Sequence, residues 1–127
     1  MAYYFSMASL KKLAGVHPDL VKLCNKALDY SSHDFIITEG VRSIEKQKAL
    51  FEAKKSQTMS SRHLTGHAID FAVIYGKEIG WALPMYKEVA DAFKKASKEL
   101  DIPMVWGGDW KSLVDGPHIE LDRKRYP

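Results

Sequence analysis

Ala68-Ile69-Asp70-Phe71-Ala72-Val73-Ile74-Tyr75-Gly76-Lys77-Glu78-Ile79-Gly80-Trp81 is the stretch that decides the fold class. Ala68 to Tyr75 is rich in β-branched and aromatic residues and reads as a strand. Gly76-Lys77 reads as a turn, and Glu78 to Trp81 as a short partner strand. A connection that short has no room for a crossover helix, so the pair is antiparallel. Phe35-Ile36-Ile37-Thr38-Glu39, ending at Gly40, is a further strand upstream. Downstream, Met104-Val105-Trp106 and His118-Ile119-Glu120-Leu121 are short strands around a Gly- and Asp-rich loop.

Helices fall between these strands. A short one is expected around Ser9 to Ala14. Pro18 to about Tyr30 is a second, with Pro18 suited to the first helical position and Leu20, Leu23, Cys24, Ala27 and Leu28 on one stripe. Ser43 can cap a third through about Ala53, and Lys54 to Arg62 reads as a loop. Pro84 opens a fourth through about Leu100, with Val89, Ala92, Phe93, Ala96 and Leu100 on one face and Pro103 at its exit. The strands lie too close together for regular βαβ crossovers. The expectation is α+β, a small antiparallel sheet with packed helices.

Composition narrows the function classes. The 127 residues fit one domain, 1–127, with no repeat, low-complexity tract or linker. A hydrophobic share of 46% and a charged share of 28% are ordinary for a globular protein. The formal charge of +3 lacks the bias of a dedicated nucleic-acid binder. Basic residues cluster at Lys46 to Lys55, read as solvated surface, and at Arg123-Lys124-Arg125, which is a solvated tail or a weak attraction for an anionic polymer. No apolar run approaches the roughly 20 residues that cross a bilayer. Met1-Ala2-Tyr3-Tyr4-Phe5-Ser6 lacks the pattern of a signal peptide, so synthesis and folding in a cytoplasm are expected. Cys24 is the one cysteine, which excludes an internal disulfide, and its apolar neighbours read as a buried thiol.

Chemistry concentrates in Ser61-Arg62-His63-Leu64-Thr65-Gly66-His67-Ala68-Ile69-Asp70 and Asp115-Gly116-Pro117-His118-Ile119-Glu120. His63, Asp70 and His118 offer two imidazoles and a carboxylate for one metal, and Asp115 lies three residues before the last imidazole. A hydrolytic zinc centre needs three protein ligands, an open position and an acid/base beside it. His63 and Asp70 are an odd number of residues apart and would face opposite ways on one strand, unless the chain turns at Gly66. On a strand His118 and Glu120 share a face, and Asp115 can fold back over whatever His118 binds. His67 has helical spacing from His63, but Leu64-Thr65-Gly66 is a poor helix interior, so His67 is read as an exposed neighbour. From residue types alone the metal reading stands beside a plainer one, in which each His is satisfied where it sits and each Asp belongs to a turn. His17 and His33 are of that plainer kind.

Ser61-x-His63-x-x-Gly66-x-Ala68-x-Asp70 followed by Asp115-x-x-His118-x-Glu120 resembles the zinc peptidases of the D-alanyl-D-alanine carboxypeptidase group, which includes VanY-like and VanX-like enzymes and phage endolysins. The similarity is greatest to the single-domain phage L-alanyl-D-glutamate endopeptidases. It extends to Asp34-Phe35 through Gly40-Val41-Arg42-Ser43 and to Gly107-Gly108-Asp109-Trp110-Lys111-Ser112-Leu113-Val114-Asp115-Gly116-Pro117-His118, and so covers most of the chain. The resemblance implies a Hedgehog/DD-peptidase-like fold and one zinc ion held by His63, Asp70 and His118. It implies Asp115 as general acid/base, where many relatives have glutamate, and Arg42 as the residue that faces the substrate and polarises the scissile carbonyl. A guanidinium suits that task; the plainer reading of Arg42 is an ion pair with Glu39 or Glu45. Ser61 is a candidate for substrate hydrogen bonding or for orienting the loop, and Glu120 for supporting a ligating imidazole. One of Trp106 and Trp110 is expected in the core, or else lining the cleft.

The substrate implied is the peptidoglycan stem peptide, cut between L-Ala and D-Glu by a phage endolysin during host lysis. The alternatives are a D,D-carboxypeptidase that releases terminal D-Ala and a non-catalytic zinc-stabilised wall-binding module. A chain of this length leaves no room for a separate wall-binding domain, and a monomer with no nucleic-acid partner and no stable membrane association is expected. The resemblance also implies a holin that releases the enzyme from the host cytoplasm to the wall.

Overall fold

The structure is a computed structural model that describes residues 3–55, 61–111 and 114–127. Its elements run α1 (Met7–Lys12), α2 (Pro18–Tyr30), β1 (Asp34–Glu39), α3 (Ile44–Glu52), a one-turn 3-10 helix (Arg62–Thr65), β2 (Ala68–Tyr75), β3 (Glu78–Gly80), α4 (Leu83–Leu100), β4 (Met104–Trp106), a second 3-10 turn (Gly107–Asp109) and β5 (His118–Leu121). The strands form a five-stranded antiparallel sheet in the order β1-β2-β5-β4. β1 lines one edge of β2. On the other edge, β5 pairs with Ala68–Asp70 and β3 with Val73–Tyr75. The expected α+β class with a small antiparallel sheet is what the chain adopts.

Local chemistry accounts for the element ends. Ser6, Ser43 and Ser61 cap their helices by accepting Ser9, Lys46 and His63 N–H respectively. His17 does the same through Nδ1, accepting Asp19 N–H at 3.1 Å ahead of Pro18. α4 stops where Asp101 turns left-handed, at φ 56°, two residues before Pro103. Ser6 starts α1 two residues earlier than expected, and α1 ends at Lys12. Arg62, expected in a loop, instead opens the 3-10 turn that Ser61 caps; residues 56–60 of that expected loop lie outside the described residues.

The core lies between one face of the sheet and the helices. Leu20, Leu23, Cys24 and Ala27 of α2 and Val89, Phe93 and Ala96 of α4 are fully buried against Phe35, Ile69, Phe71, Val73 and Ile119. Burying side chains of this size contributes about 1.5–3 kcal/mol each. Burial pushes the Cys24 thiol well up, which leaves it an inert apolar group. α1 packs along the outer edge of β1, where Ser9 Oγ accepts the Ile37 N–H at 3.1 Å, so this sheet edge is covered.

Candidate active site

β2 alternates, so Ile69, Phe71 and Val73 enter the core while Asp70 points out of the opposite face. Asp70 is paired directly with His118 on β5 and with Glu39 on β1, and paired residues of antiparallel strands share a face. The Glu39 pairing depends on a register shift between Ile37 and Glu39. Without it Thr38 would sit opposite Asp70. Two positions further along, Glu120 sits opposite Ala68, whose methyl leaves space for a long side chain.

His63 arrives from the 3-10 turn. Gly66 reverses the chain there at φ +75°, with Gly15 O so close that a Cβ would lie 2.8 Å from it. The turn thus brings His63 onto the face of Asp70, as the odd spacing of the two residues requires. His67 is directed away: its Nδ1 meets Thr65 Oγ1 at 2.7 Å and its ring lies 5.5 Å from that of His17. His33 is paired with Glu88 on the surface.

His63 Nε2 and His118 Nδ1 each lie 3.3 Å from Asp70 Oδ1, and one donor atom from each of the three residues falls within 4.8 Å of the others. Four ligands at about 2.0–2.1 Å around a tetrahedral zinc ion are about 3.3 Å from one another. The outer nitrogens are also occupied. His63 Nδ1 donates to Gly40 O at 3.0 Å, and His118 Nε2 donates to Glu120 Oε1 at 2.9 Å. Each ring therefore directs its other nitrogen at Asp70, the arrangement that fixes tautomer and orientation in histidine metal sites. The donor set fits zinc.

Charge follows the same pattern. Burial would raise the Asp70 carboxyl, but hydrogen bonds from His118 and His63 hold it well below the usual carboxylate range. Burial would lower His118, but its bonds to Asp70 and Glu120 push it up to about 9. Glu120 is lowered because the His118 hydrogen bond outweighs its burial. Asp115 moves the other way: burial, and then the charge of Asp70, raise its carboxyl. Burial and a neighbouring negative charge both favour the protonated form of a carboxyl.

Asp115 sits on a turn closed by His118 N–H donating to Asp115 O at 3.2 Å. Gly107 lies beneath it. Asp115 N–H donates to Gly107 O at 3.0 Å, and a Cβ at Gly107 would come within 2.3 Å of Asp115 O. Buried Trp106 donates its indole N–H to Gly116 O at 2.7 Å, fixing the turn from the core side. Trp110 is half-exposed, its ring 5.1 Å from that of His118. One tryptophan thus serves the core and the other lies beside His118.

Arg42 makes the expected ion pair with Glu39 and also lies beside Asp70. Nε pairs with Glu39 Oε1, Nη1 donates to Gln47 Oε1 at 2.7 Å, and Nη2 reaches to 3.9 Å from Asp70 Oδ2. The ion-pair partner is Glu39 and not Glu45. Ser61 Oγ accepts His63 N–H at 3.2 Å, so it orients the loop. Reasoning from sequence missed Gln47, which is fully buried beside the site, and treated Glu39 only as a surface partner. The one available signal was nearness in sequence, since Glu39 lies three residues before Arg42 and Gln47 five after it.

The phage L-alanyl-D-glutamate peptidase family matches the sequence over residues 1–124. The L-alanyl-D-glutamate peptidase of Escherichia phage T5 is 36% identical, in an alignment covering 95% of this chain and 99% of that protein. The Serratia marcescens L-Ala D-Glu endopeptidase ChiX superposes with a TM-score of 0.92 at 42% identity, over 98% of this chain and 94% of that one. The vancomycin-resistance D,D-dipeptidase VanXYg shares the fold, with a TM-score of 0.56 at 15% identity over 84% of this chain and 50% of its own.

Proposed function

The chain belongs to the phage L-alanyl-D-glutamate peptidase family, and from that premise we propose that it is a zinc endopeptidase that cuts the L-Ala–D-Glu bond of peptidoglycan stem peptides as a phage endolysin. The observation that carries this reading is the convergence of His63 Nε2, Asp70 Oδ1 and His118 Nδ1, each imidazole held from behind, beside the turn that presents Asp115.

His63, Asp70 and His118 hold the metal. Zinc bound there supplies Lewis acidity that makes water nucleophilic at neutral pH. Asp115 takes a proton from the attacking water on a carboxylate oxygen and delivers it to the departing amine. Arg42 presents Nη2 toward the same face and stabilises negative charge developing on the carbonyl oxygen. Glu120 fixes the His118 ring, Ser61 fixes the His63 loop, and Ser61 also offers its hydroxyl to the substrate backbone. Trp110 packs its ring beside that of His118.

The protein works as a monomer. Among the described residues no helix is long and apolar enough to cross a membrane, and passage from host cytoplasm to wall relies on a holin. Digestion of purified walls, followed by mass spectrometry, tests the activity. New free L-alanine carboxyl ends are expected. Released D-alanine in their place would make it a D,D-carboxypeptidase, and no release by the zinc-loaded protein would leave a binding module.

A further inference from the structure

An arginine with a catalytic task has to be aimed. Its long side chain carries about 2 kcal/mol of rotamer entropy. Beside an ionised aspartate it would be drawn into a close pair, and that pair would take up the carboxylate a metal needs. Here Nη2 stops 3.9 Å from Asp70 Oδ2, beyond hydrogen-bond reach. The other two guanidinium nitrogens are occupied: Glu39 Oε1 takes Nε, and Gln47 Oε1 takes Nη1 at 2.7 Å.

Both acceptors are themselves held. Glu39 reaches this face because the bulge at Thr38 places it, not Thr38, opposite Asp70, and its Oε2 accepts Lys46 Nζ at 3.2 Å. Gln47 lies fully buried on α3, one turn after the Ser43 cap. The Arg42 backbone is tied as well, its N–H donating to His63 O at 3.0 Å. A bulge, a buried amide and a backbone bond to the His63 loop all act on one side chain.

We propose that Glu39 and Gln47 are positioning residues: they clamp Nε and Nη1 of Arg42, hold it off Asp70, and leave Nη2 as the edge that meets the substrate carbonyl. This rests on the peptidase reading above. It makes the bulge at Thr38 a functional feature of β1, and it assigns a task to a fully buried glutamine.

The test is a double-mutant cycle on a soluble stem peptide with the zinc-loaded enzyme. Gln47→Met and Glu39→Met remove the acceptors and keep side-chain length. Each should lower kcat by about tenfold to a hundredfold, the cost of misplacing a catalytic group by about an ångström, with KM within about twofold and zinc content unchanged. Glu39→Gln, which keeps the acceptor oxygen, should recover most of the loss. In an Arg42→Ala background neither methionine substitution should lower kcat further. Equal losses with and without Arg42, or a Glu39→Gln enzyme as poor as Glu39→Met, would overturn the clamp and leave the peptidase reading intact. If Gln47→Met melts below assay temperature, the Glu39 cycle decides alone. A parent enzyme that cuts no stem peptide would take both readings down together.

Discussion

The two faces of β2 carry opposite kinds of chemistry on alternate residues. Ile69, Phe71 and Val73 are fully buried among Phe35, Phe93 and the α2 stripe. Asp70, between them in sequence, is surrounded by His63, His118, Glu39 and Arg42. The apolar face gains from burial and has no stake in protonation. The polar face is a network in which each charge is balanced by a neighbour, and taking away one partner leaves another uncompensated. Stability and activity should therefore respond to different substitutions on one strand.

The largest separation is expected on the polar side. Asp115→Ala should lower wall hydrolysis by about 10²–10⁴, with the thermal midpoint close to that of the parent; comparing rates with calorimetric unfolding checks it. An unfolded variant would mean that the polar turn supports the fold. On the other face, Phe71→Ala should cost about 3–5 kcal/mol of stability, while the protein that remains folded keeps its turnover number. Denaturant titration alongside active-site-normalised rates measures both. Glu120→Ala should come next, weakening metal affinity by about tenfold to a hundredfold through the freed His118 ring, as read by competition with a chromophoric chelator.

Protonation gives a further contrast. In the metal-free protein Asp70 is depressed, so its stabilisation is present above its ordinary pKa of about 4 and is lost as pH falls through the lower folded value. His118 is raised to about 9, so its stabilisation is complete below its ordinary 6.5 and is lost as pH rises through about 9. Metal must displace that proton from His118. Calorimetric zinc uptake at neutral pH, in two buffers of different ionisation enthalpy, should show proton release. Uptake with no dependence on buffer would contradict the raised His118. The smallest effect belongs to the core side: Cys24→Ala should cost about 1 kcal/mol or a little more and leave hydrolysis unchanged.

Legibility divides along the same line. α2, α4 and β2 could be placed to within a residue or so because each carries its own local signal: Pro18 with an apolar stripe, Pro84 with another, and a β-branched run ended by Gly76. The union of His63, Asp70 and His118 could be suspected because Gly66 and Gly116-Pro117 mark where the chain must turn. The bulge at Thr38 could not be seen, since Phe35 to Glu39 reads as an unbroken strand and a register shift is a property of two strands together. Gln47 looked like one more polar residue on an exposed helix until the fold buried it against Arg42. The orientation of each imidazole depends on Gly40 O and Glu120, which long-range pairing brings into place. Ser112 and Leu113, just before Val114 in the sequence, lie outside the described residues.

One measurement bears most directly on the role of the polar face: digestion of purified peptidoglycan by the metal-free protein, with and without added zinc, read by mass spectrometry of the products. Zinc should restore cleavage, with new L-alanine carboxyl ends and free D-Glu amino ends in equal amount, while circular dichroism shows the same folded sheet and helices before and after loading. Equal cleavage by the thoroughly metal-free protein, or products cut at any other bond, would contradict it.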